Sequence, residues 1–317
     1  MRIKTSDEKQ QLLNHLATID RTEDSQWLDS VVERKQLESE FHDDKVDRHG
    51  KTRGSDDLKE KRRGNKRFYT TVEKSKQHTS DWIAQHSPGK VVLDYACGQG
   101  ALTLAAAQAG AELAIGLDIS RTSILNARQD AKDDGLCDNA FFLQGDCEAT
   151  LLPDNSIDVM ICSGMLHHLN VEEAYPEMCR ILKPGGVCLA IEALDYNPLV
   201  KMYRLLTPSL RTEWEKHHIL SHKELKLSRE YFEVKKVKYW HLASILAAPL
   251  RNSILFKPAL AIGNLTDAVL LKIPPICYMA WQFSFELHKP EVSVSSLSPS
   301  KKNTTFTCET TTQKQVA

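Results

Sequence analysis

Between residues 90 and 193, short apolar runs alternate with segments of helical spacing, and this rhythm constrains the fold more than any other feature of the chain. The runs at 90–95, 113–118, 140–144, 157–163 and 187–193 are nearly continuous in apolar residues, as strands covered on both faces must be. The segments at 100–110, 120–134, 171–181 and part of 198–227 carry helical periodicity. Strands separated by helices of this length predict an α/β fold with a doubly wound, mostly parallel sheet. Residues 232–240 and 279–287 alternate with a period of two and predict a late antiparallel pair. The stretch between them, 241–275, reads as an apolar helical insertion before the last strand.

What flanks this middle region is different in kind. Residues 1–67 are highly charged, yet Leu12, Leu13, Leu16 and Ile19, and then Trp27, Leu28, Val31 and Val32, fall at helical spacing. A helical N-terminal extension is expected, packed loosely on the core or partly disordered. From Phe68 to His86 the pattern predicts a helix that ends at Ser87-Pro88-Gly89. The expected organisation is an extension at 1–67, one domain at 68–290 and a disordered polar tail at 291–317. Within the domain we expect a core at 88–193, a lid at 195–227 and the insertion at 241–275.

Lys and Arg (41) balance Asp and Glu (42), so no chain-wide basic field favours nucleic acid. One basic stretch, 59–67, reads as a solvated linker or as a patch that touches phosphate or an anionic membrane. The eight cysteines show no CxxC pair and lie mostly in apolar runs, which predicts reduced, buried thiols and no metal site. The first residues are polar, and Lys257, Asp267 and Lys272 interrupt the apolar residues of 243–287. Neither a signal peptide nor a membrane span is therefore expected, and the chain reads as cytoplasmic. Leu242, Ile245, Leu246, Leu250, Ile254, Leu255 and Phe256, with Arg251 and Lys257, have three readings. They pack on the sheet, line a lipophilic pocket, or lie on a membrane as a peripheral contact.

Two positions point to a ligand. Val91-Val92-Leu93-Asp94-Tyr95-Ala96-Cys97-Gly98-Gln99-Gly100 runs from an apolar strand through small residues into an alanine-rich helix. Small residues allow close approach to the backbone, and a helix N-terminus offers unpaired N–H groups. A tight turn without a ligand has the same pattern. About twenty residues further on, Asp118 closes Ile115-Gly116-Leu117-Asp118-Ile119-Ser120, where a carboxylate can accept from ribose hydroxyls and Ser120 can cap the next helix. A capping or surface aspartate is the alternative.

Three further segments make the pattern specific: Gly145-Asp146-Cys147-Glu148, Leu152-Pro153-Asp154-Asn155-Ser156-Ile157-Asp158, and Leu166-His167-His168-Leu169 followed by Leu182-Lys183-Pro184-Gly185-Gly186. In this order they resemble class I S-adenosylmethionine-dependent methyltransferases of the small-molecule "type 11", ubiquinone/menaquinone-like group, over roughly 88–193. The resemblance implies a seven-stranded, Rossmann-like methyltransferase fold, S-adenosyl-L-methionine as cofactor and a small-molecule acceptor as partner. It also implies roles for single residues. Asp94, Ala96, Gly98 and Gly100 would surround the methionine portion, with Ser163 nearby at the end of the fourth strand. Asp118 and Ile119 would hold the ribose, and Asp146 with Cys147 would lie beside the adenine. Ala96 departs from the family, which has glycine there. Glu40-Phe41-His42-Asp43 more weakly resembles a helix that covers the cofactor in some members, and 285–290 resembles the last strand. A nicotinamide enzyme shares the turn and the ribose acid. The acids at 94 and 146 favour the methyltransferase, since they suit a cationic amino acid group and an adenine edge.

Methyl transfer from a sulfonium is an in-line displacement that needs alignment first and a base second. His167 and His168, leaving the fourth strand toward the carboxyl edge of the sheet, and Glu192, at the end of the fifth, are the candidate catalytic residues. Packing of the cofactor is the other role open to the histidines. Tyr196, Tyr203, Trp214, His217 and His218 belong to the expected lid and are candidates for acceptor contact or lid packing. The favoured function is O-methylation of a small, lipophilic or polyketide-like molecule, with C- or N-methylation open. A cofactor-binding scaffold and an RNA or protein methyltransferase are the alternatives.

Overall fold

A computed structural model describes residues 3–43 and 68–291. The basic stretch at 59–67 and the Ser/Thr-rich tail from 292 lie outside the described residues. The helices are α1 (Ile3–Ile19), α2 (Trp27–Ser30), α3 (Glu33–Asp43), α4 (Glu73–His86), α5 (Ala101–Gln108) and α6 (Arg121–Asp133). They continue as α7 (Val171–Ile181), α8 (Pro198–Leu206), α9 (Glu213–His217), α10 (His222–Ser228) and α11 (Phe256–Leu270). The strands are β1 (Val91–Tyr95), β2 (Leu113–Asp118), β3 (Ala140–Gln144), β4 (Ile157–Ser163), β5 (Leu182–Ala193), β6 (Glu233–Trp240) and β7 (Gln282–His288).

The seven strands form one sheet in the order β3-β2-β1-β4-β5-β7-β6. The first five pair in parallel, and β7 is antiparallel to both of its neighbours. The expected doubly wound sheet with a late antiparallel pair is what forms. The order reverses beside β1, so the carboxyl ends of β1, β2 and β4 open on a crevice in which α/β folds bind ligands. β1 and β2 are buried along their whole length, which is why their apolar runs show no alternation.

β5 begins earlier than 187. Leu182 already pairs with Ile157, and an irregularity absorbs residues 183–186 before Val187 pairs with Val159. β6 is an edge strand whose register shifts between Lys235 and Lys238, with Lys236 at φ 51°. Lysines and a bulge are what keep such an edge from pairing further.

The N-terminal extension is tied down more firmly than expected. Leu16 and Ile19 are buried in the same apolar cluster as Leu93, Ile115 and Met160 of the sheet. Just past α1, Arg21 N–H donates to Gln144 O at 3.1 Å, and Asp20 accepts from Gln144 N–H at 3.0 Å. The helix expected over Trp27, Leu28, Val31 and Val32 stops at Ser30, because Val31 is extended and caps it, and α3 starts only at Glu33. Residues 68–86 likewise break into a short turn at Phe68–Thr70 and α4.

The insertion packs as a unit. Asp267 of α11 accepts from the N–H groups of Leu242, Ala243 and Ser244, at 3.2, 2.6 and 3.2 Å. Gly263 is required there, since a Cβ would come within 2.6 Å of the Ser244 backbone. Among the described residues, no helix is long and apolar enough to cross a membrane.

Candidate active site

β1 ends at Tyr95, and the chain turns through Ala96 and Gly98 to Gly100, the residue before α5. All three have positive φ, at 60°, 53° and 77°. Ala96 thus keeps the left-handed conformation at a cost of about 1 kcal/mol relative to glycine. Gly100 answers to packing rather than to a ligand, because a Cβ there would meet the Phe142 ring of β3 at 2.4 Å.

The turn is locked from two sides. Asp118 accepts from Gly98 N–H at 2.7 Å through one oxygen and from Ser120 N–H at 2.8 Å through the other. Asp94 lies beneath the turn and accepts from the N–H and hydroxyl of Thr103, at 3.0 and 2.8 Å. Burial pushes the Asp94 carboxyl up to about 7, opposed by Thr103 and reinforced by the charge of Asp118. Burial likewise raises Asp118 to about 6, against the amides of Ser120 and Gly98. Carboxyls destabilised in this way gain from a ligand that brings positive charge or hydroxyl donors.

Asp118, Ile119, Ala96, Asp146 and Cys147 line one crevice of about 40 Å³. Its other wall is α3, which the sequence marked only through Glu40-Phe41-His42-Asp43. Ser39 of α3 donates to Ile119 O at 3.2 Å, and Asp43 accepts from Thr122 N–H at 3.1 Å. Lys35 lies 2.6 Å from Asp146 and 2.8 Å from Glu148, and Arg34 reaches both Glu148 oxygens at 2.6 Å. Burial works to lower the Lys35 ammonium, but Asp146 and Glu148 outweigh it and hold it above its ordinary value. Sequence reasoning missed Arg34 and Lys35, whose one signal was a basic pair inside an acid-rich helix.

The donor and acceptor set suits a nucleoside: Asp118 and Asp146 accept hydrogen bonds, and Ala96 and Ile119 give small or apolar contact. A crevice of about 40 Å³ holds little more than a water. Admission of a nucleoside therefore requires side chains that line the crevice to move.

His42, Met165 and His168 line this crevice and also a second cavity of about 870 Å³, so the two are separated by one layer of side chains. The larger cavity is apolar along Ile191, Val200, Leu242, Ile245, Pro249 and Trp281. It is polar where His167, Arg204, Arg211 and Glu215 meet it. Arg204 and Arg211 each lie 3.6 Å from Glu215, and burial lowers both guanidiniums from their ordinary value.

His167 is held by a buried carboxylate. Its Nδ1 is 2.8 Å from Glu192 Oε2, while Glu192 Oε1 accepts from the N–H groups of Met165 and Leu166, both at 2.8 Å. A carboxylate that takes two backbone N–H groups on one oxygen is left with the other to accept from Nδ1 of His167, and Nε2 is the ring's second nitrogen. That Nε2 lies 3.9 Å from Glu215. The His168 ring is 4.3 Å from the His167 ring, and its Nδ1 is 3.1 Å from Glu38.

The structure brings together donor atoms that the sequence did not group. Glu38, His42 and His168, and likewise His167, His168 and Glu215, have ligand atoms within 4.8 Å of one another. Imidazole and carboxylate sets of this kind suit a divalent transition metal. Their carboxylates already have protein partners: Glu38 accepts from Thr212 and faces His168, and Glu215 faces the two arginines.

Other expected residues fall elsewhere. Ser163, grouped with the cofactor residues, lines the larger cavity instead. Of the lid candidates, Tyr203 lines that cavity. Tyr196 does not: it stacks on His222 and its hydroxyl accepts from His222 N–H at 3.2 Å. Trp214 stacks on His218 at 3.6 Å and carries the Arg34 guanidinium over its ring at 4.5 Å, so this pair clamps α3. The side chain of His217 lies outside the described residues. Arg211, Glu215, Phe68 and Tyr69 line the cavity and were missed, because nothing in their local spacing distinguishes them from surface charge or core.

Comparison with known proteins agrees with this architecture. Residues 92–186 match the family model of a methyltransferase domain. The ribosomal protein L11 methyltransferase of Pasteurella multocida is 36% identical over 99 residues, covering 31% of this chain and 32% of that protein. The ubiquinone/menaquinone biosynthesis C-methyltransferase UbiE of Shewanella frigidimarina is 34% identical over 123 residues, covering 37% and 47%. The chain thus spans less than half the length of these curated relatives. A solved structure described as a candidate sarcosine dimethylglycine methyltransferase of Galdieria sulphuraria superposes with a TM-score of 0.51 at 16% identity, covering 68% of this chain and 86% of that one.

Proposed function

We propose that this protein is a class I methyltransferase that transfers a methyl group from S-adenosylmethionine to an oxygen of a small, lipophilic acceptor. The observation that carries this reading is the shared wall: the acid-lined crevice and the apolar cavity meet at His42, Met165 and His168. When bound, the cofactor supplies a methyl group on a sulfonium, activated for displacement. The residues of this chain do the rest. Asp94 and Asp118, with the left-handed turn between them, fix the donor's amino acid and ribose portions. Asp146 accepts from the adenine once Lys35 has moved away.

His167 takes the acceptor's proton. Glu192 keeps Nδ1 protonated, so Nε2 stands as a general base beside the cavity. The charged end of the cavity orients the acceptor's polar group, and the apolar wall holds its body out of water. The relatives bear names for protein and for quinone methylation, so the acceptor class rests on the cavity and not on kinship. The test is turnover of methyl-labelled S-adenosylmethionine against phenols, hydroxylated lipids, amines and a ribosomal protein fraction. Label in an ether or ester of a lipophile supports the reading. Label only in protein or amine would replace it.

A further inference from the structure

The elements that border the large cavity carry exposed side chains that a water-soluble surface seldom holds together. Leu205 and Leu206 of α8, Leu246 of the turn at Ser244–Leu250, Ile254, and Ile262 and Leu265 of α11 are between 65 and 93% exposed. Leu246 both lines the cavity and is largely exposed, so it stands at the opening. α8 borders the cavity through Val200 and Tyr203, and α11 through Leu270. On α11 the exposed residues Ile262, Leu265 and Val269 follow helical spacing, opposite buried Leu260, Gly263 and Asp267. That helix is thus apolar on two faces, one toward the protein and one away from it. Apolar exposure on this scale marks a site of contact with something else.

Charge identifies the contact. The stretches 197–212 and 242–281 hold Lys201, Arg204, Arg211, Arg251, Lys257 and Lys272, against one acid, Asp267. Asp267 is buried and consumed by the backbone N–H groups of Leu242, Ala243 and Ser244. The two cavity arginines aside, Lys257 and Lys272 are exposed and Arg251 is half-buried, with no exposed carboxylate opposing these three within the stretches, whereas Lys201 is exposed but pairs with Asp195 at 3.1 Å. Apolar side chains ringed by cations suit the boundary between headgroups and acyl chains of an anionic bilayer. Among the described residues, no helix is long and apolar enough to cross such a bilayer.

We propose that this face docks on anionic membranes and sets the mouth of the acceptor cavity against the lipid, so that a lipophilic acceptor enters without crossing water. The route of the acceptor rests on the functional reading above; the docking does not. The full chain is tested by co-sedimentation with vesicles of phosphatidylcholine and phosphatidylglycerol at three to one, and of phosphatidylcholine alone. Binding of S-adenosylhomocysteine, measured in parallel, reports separately on the functional reading and on the folding of each variant. Expected is binding to the anionic vesicles that weakens at least tenfold in high salt, on neutral vesicles, and in the variants Leu205→Glu and Ile254→Glu. A Lys257→Ala/Lys272→Ala variant, which leaves the apolar residues intact, should lose the anionic preference. No binding to the anionic vesicles overturns the proposal, as does binding that none of these substitutions weakens. Concentration-dependent dimers that Leu205→Glu and Ile254→Glu dissolve, without vesicle binding, would assign the face to a second copy of the chain instead.

Discussion

Glu192, next to last in β5, accepts from Nδ1 of His167 at 2.8 Å and from two backbone N–H groups at the end of the β4 loop. The sheet thus holds the orientation of the histidine that lines the large cavity, and its hydrogen bond favours the Nδ1-protonated tautomer.

Replacing Glu192 by glutamine tests this relationship. An amide cannot accept on both sides, so its NH2 must face either the two backbone donors or His167. The second arrangement turns Nδ1 into an acceptor and moves the ring proton to Nε2, removing the base. We expect Glu192→Gln to lower kcat about 10²-fold or more, with KM and S-adenosylhomocysteine affinity within about twofold of wild type. Equal loss in kcat and in cofactor affinity would make the pair structural.

Cofactor binding is expected to depend on pH through the two buried acids. Asp94 and Asp118 have folded values near 7 and 6, above the ordinary 3.8, so between pH 4 and 7 the folded protein holds more protons than the unfolded one. Stability from these groups is therefore present at low pH and falls as pH rises through that window. A ligand with an ammonium group favours the ionised acids, so affinity should rise between pH 5.5 and 7.5, with protons released on binding. Calorimetry in buffers of different ionisation enthalpy measures the release. Asp94→Asn should flatten the rise; an unchanged slope in that variant would remove Asp94 from the cofactor's surroundings.

Lys35 occupies Asp146, the carboxylate assigned above to the adenine, and so is expected to compete with the nucleoside. The pair is half-buried, and its net contribution is on the order of 1 kcal/mol. Lys35→Ala should tighten S-adenosylhomocysteine binding roughly fivefold and speed association, as followed by stopped-flow fluorescence. Weaker binding would mean that Lys35 holds the ligand instead of excluding it.

The sheet was legible because strands buried on both faces leave unbroken apolar runs, as at Val91–Tyr95 and Leu113–Asp118. Asp118 stood out at a strand end about twenty residues past the turn, and Asp146 through the family resemblance; both line the crevice, whereas Asp94 lies under the turn on Thr103. The rest depends on distant contacts. Lys35 meets Asp146 across 111 residues, and Thr212 meets Glu38 across 174. Tyr196 and Trp214 looked like lid aromatics by position, but their rings are taken by His222 and His218. Local spacing carries no trace of such pairings, so the roof of the crevice and the charged end of the cavity emerge only in the folded chain.

The central claim is tested most directly by calorimetric binding of S-adenosylhomocysteine to the wild type and to Asp118→Ala, with circular dichroism to confirm that both are folded. The account predicts micromolar binding by the wild type and at least tenfold weaker binding by the variant, about 1.4 kcal/mol or more. Folded wild-type protein that fails to bind, or a variant that binds equally well, would contradict it.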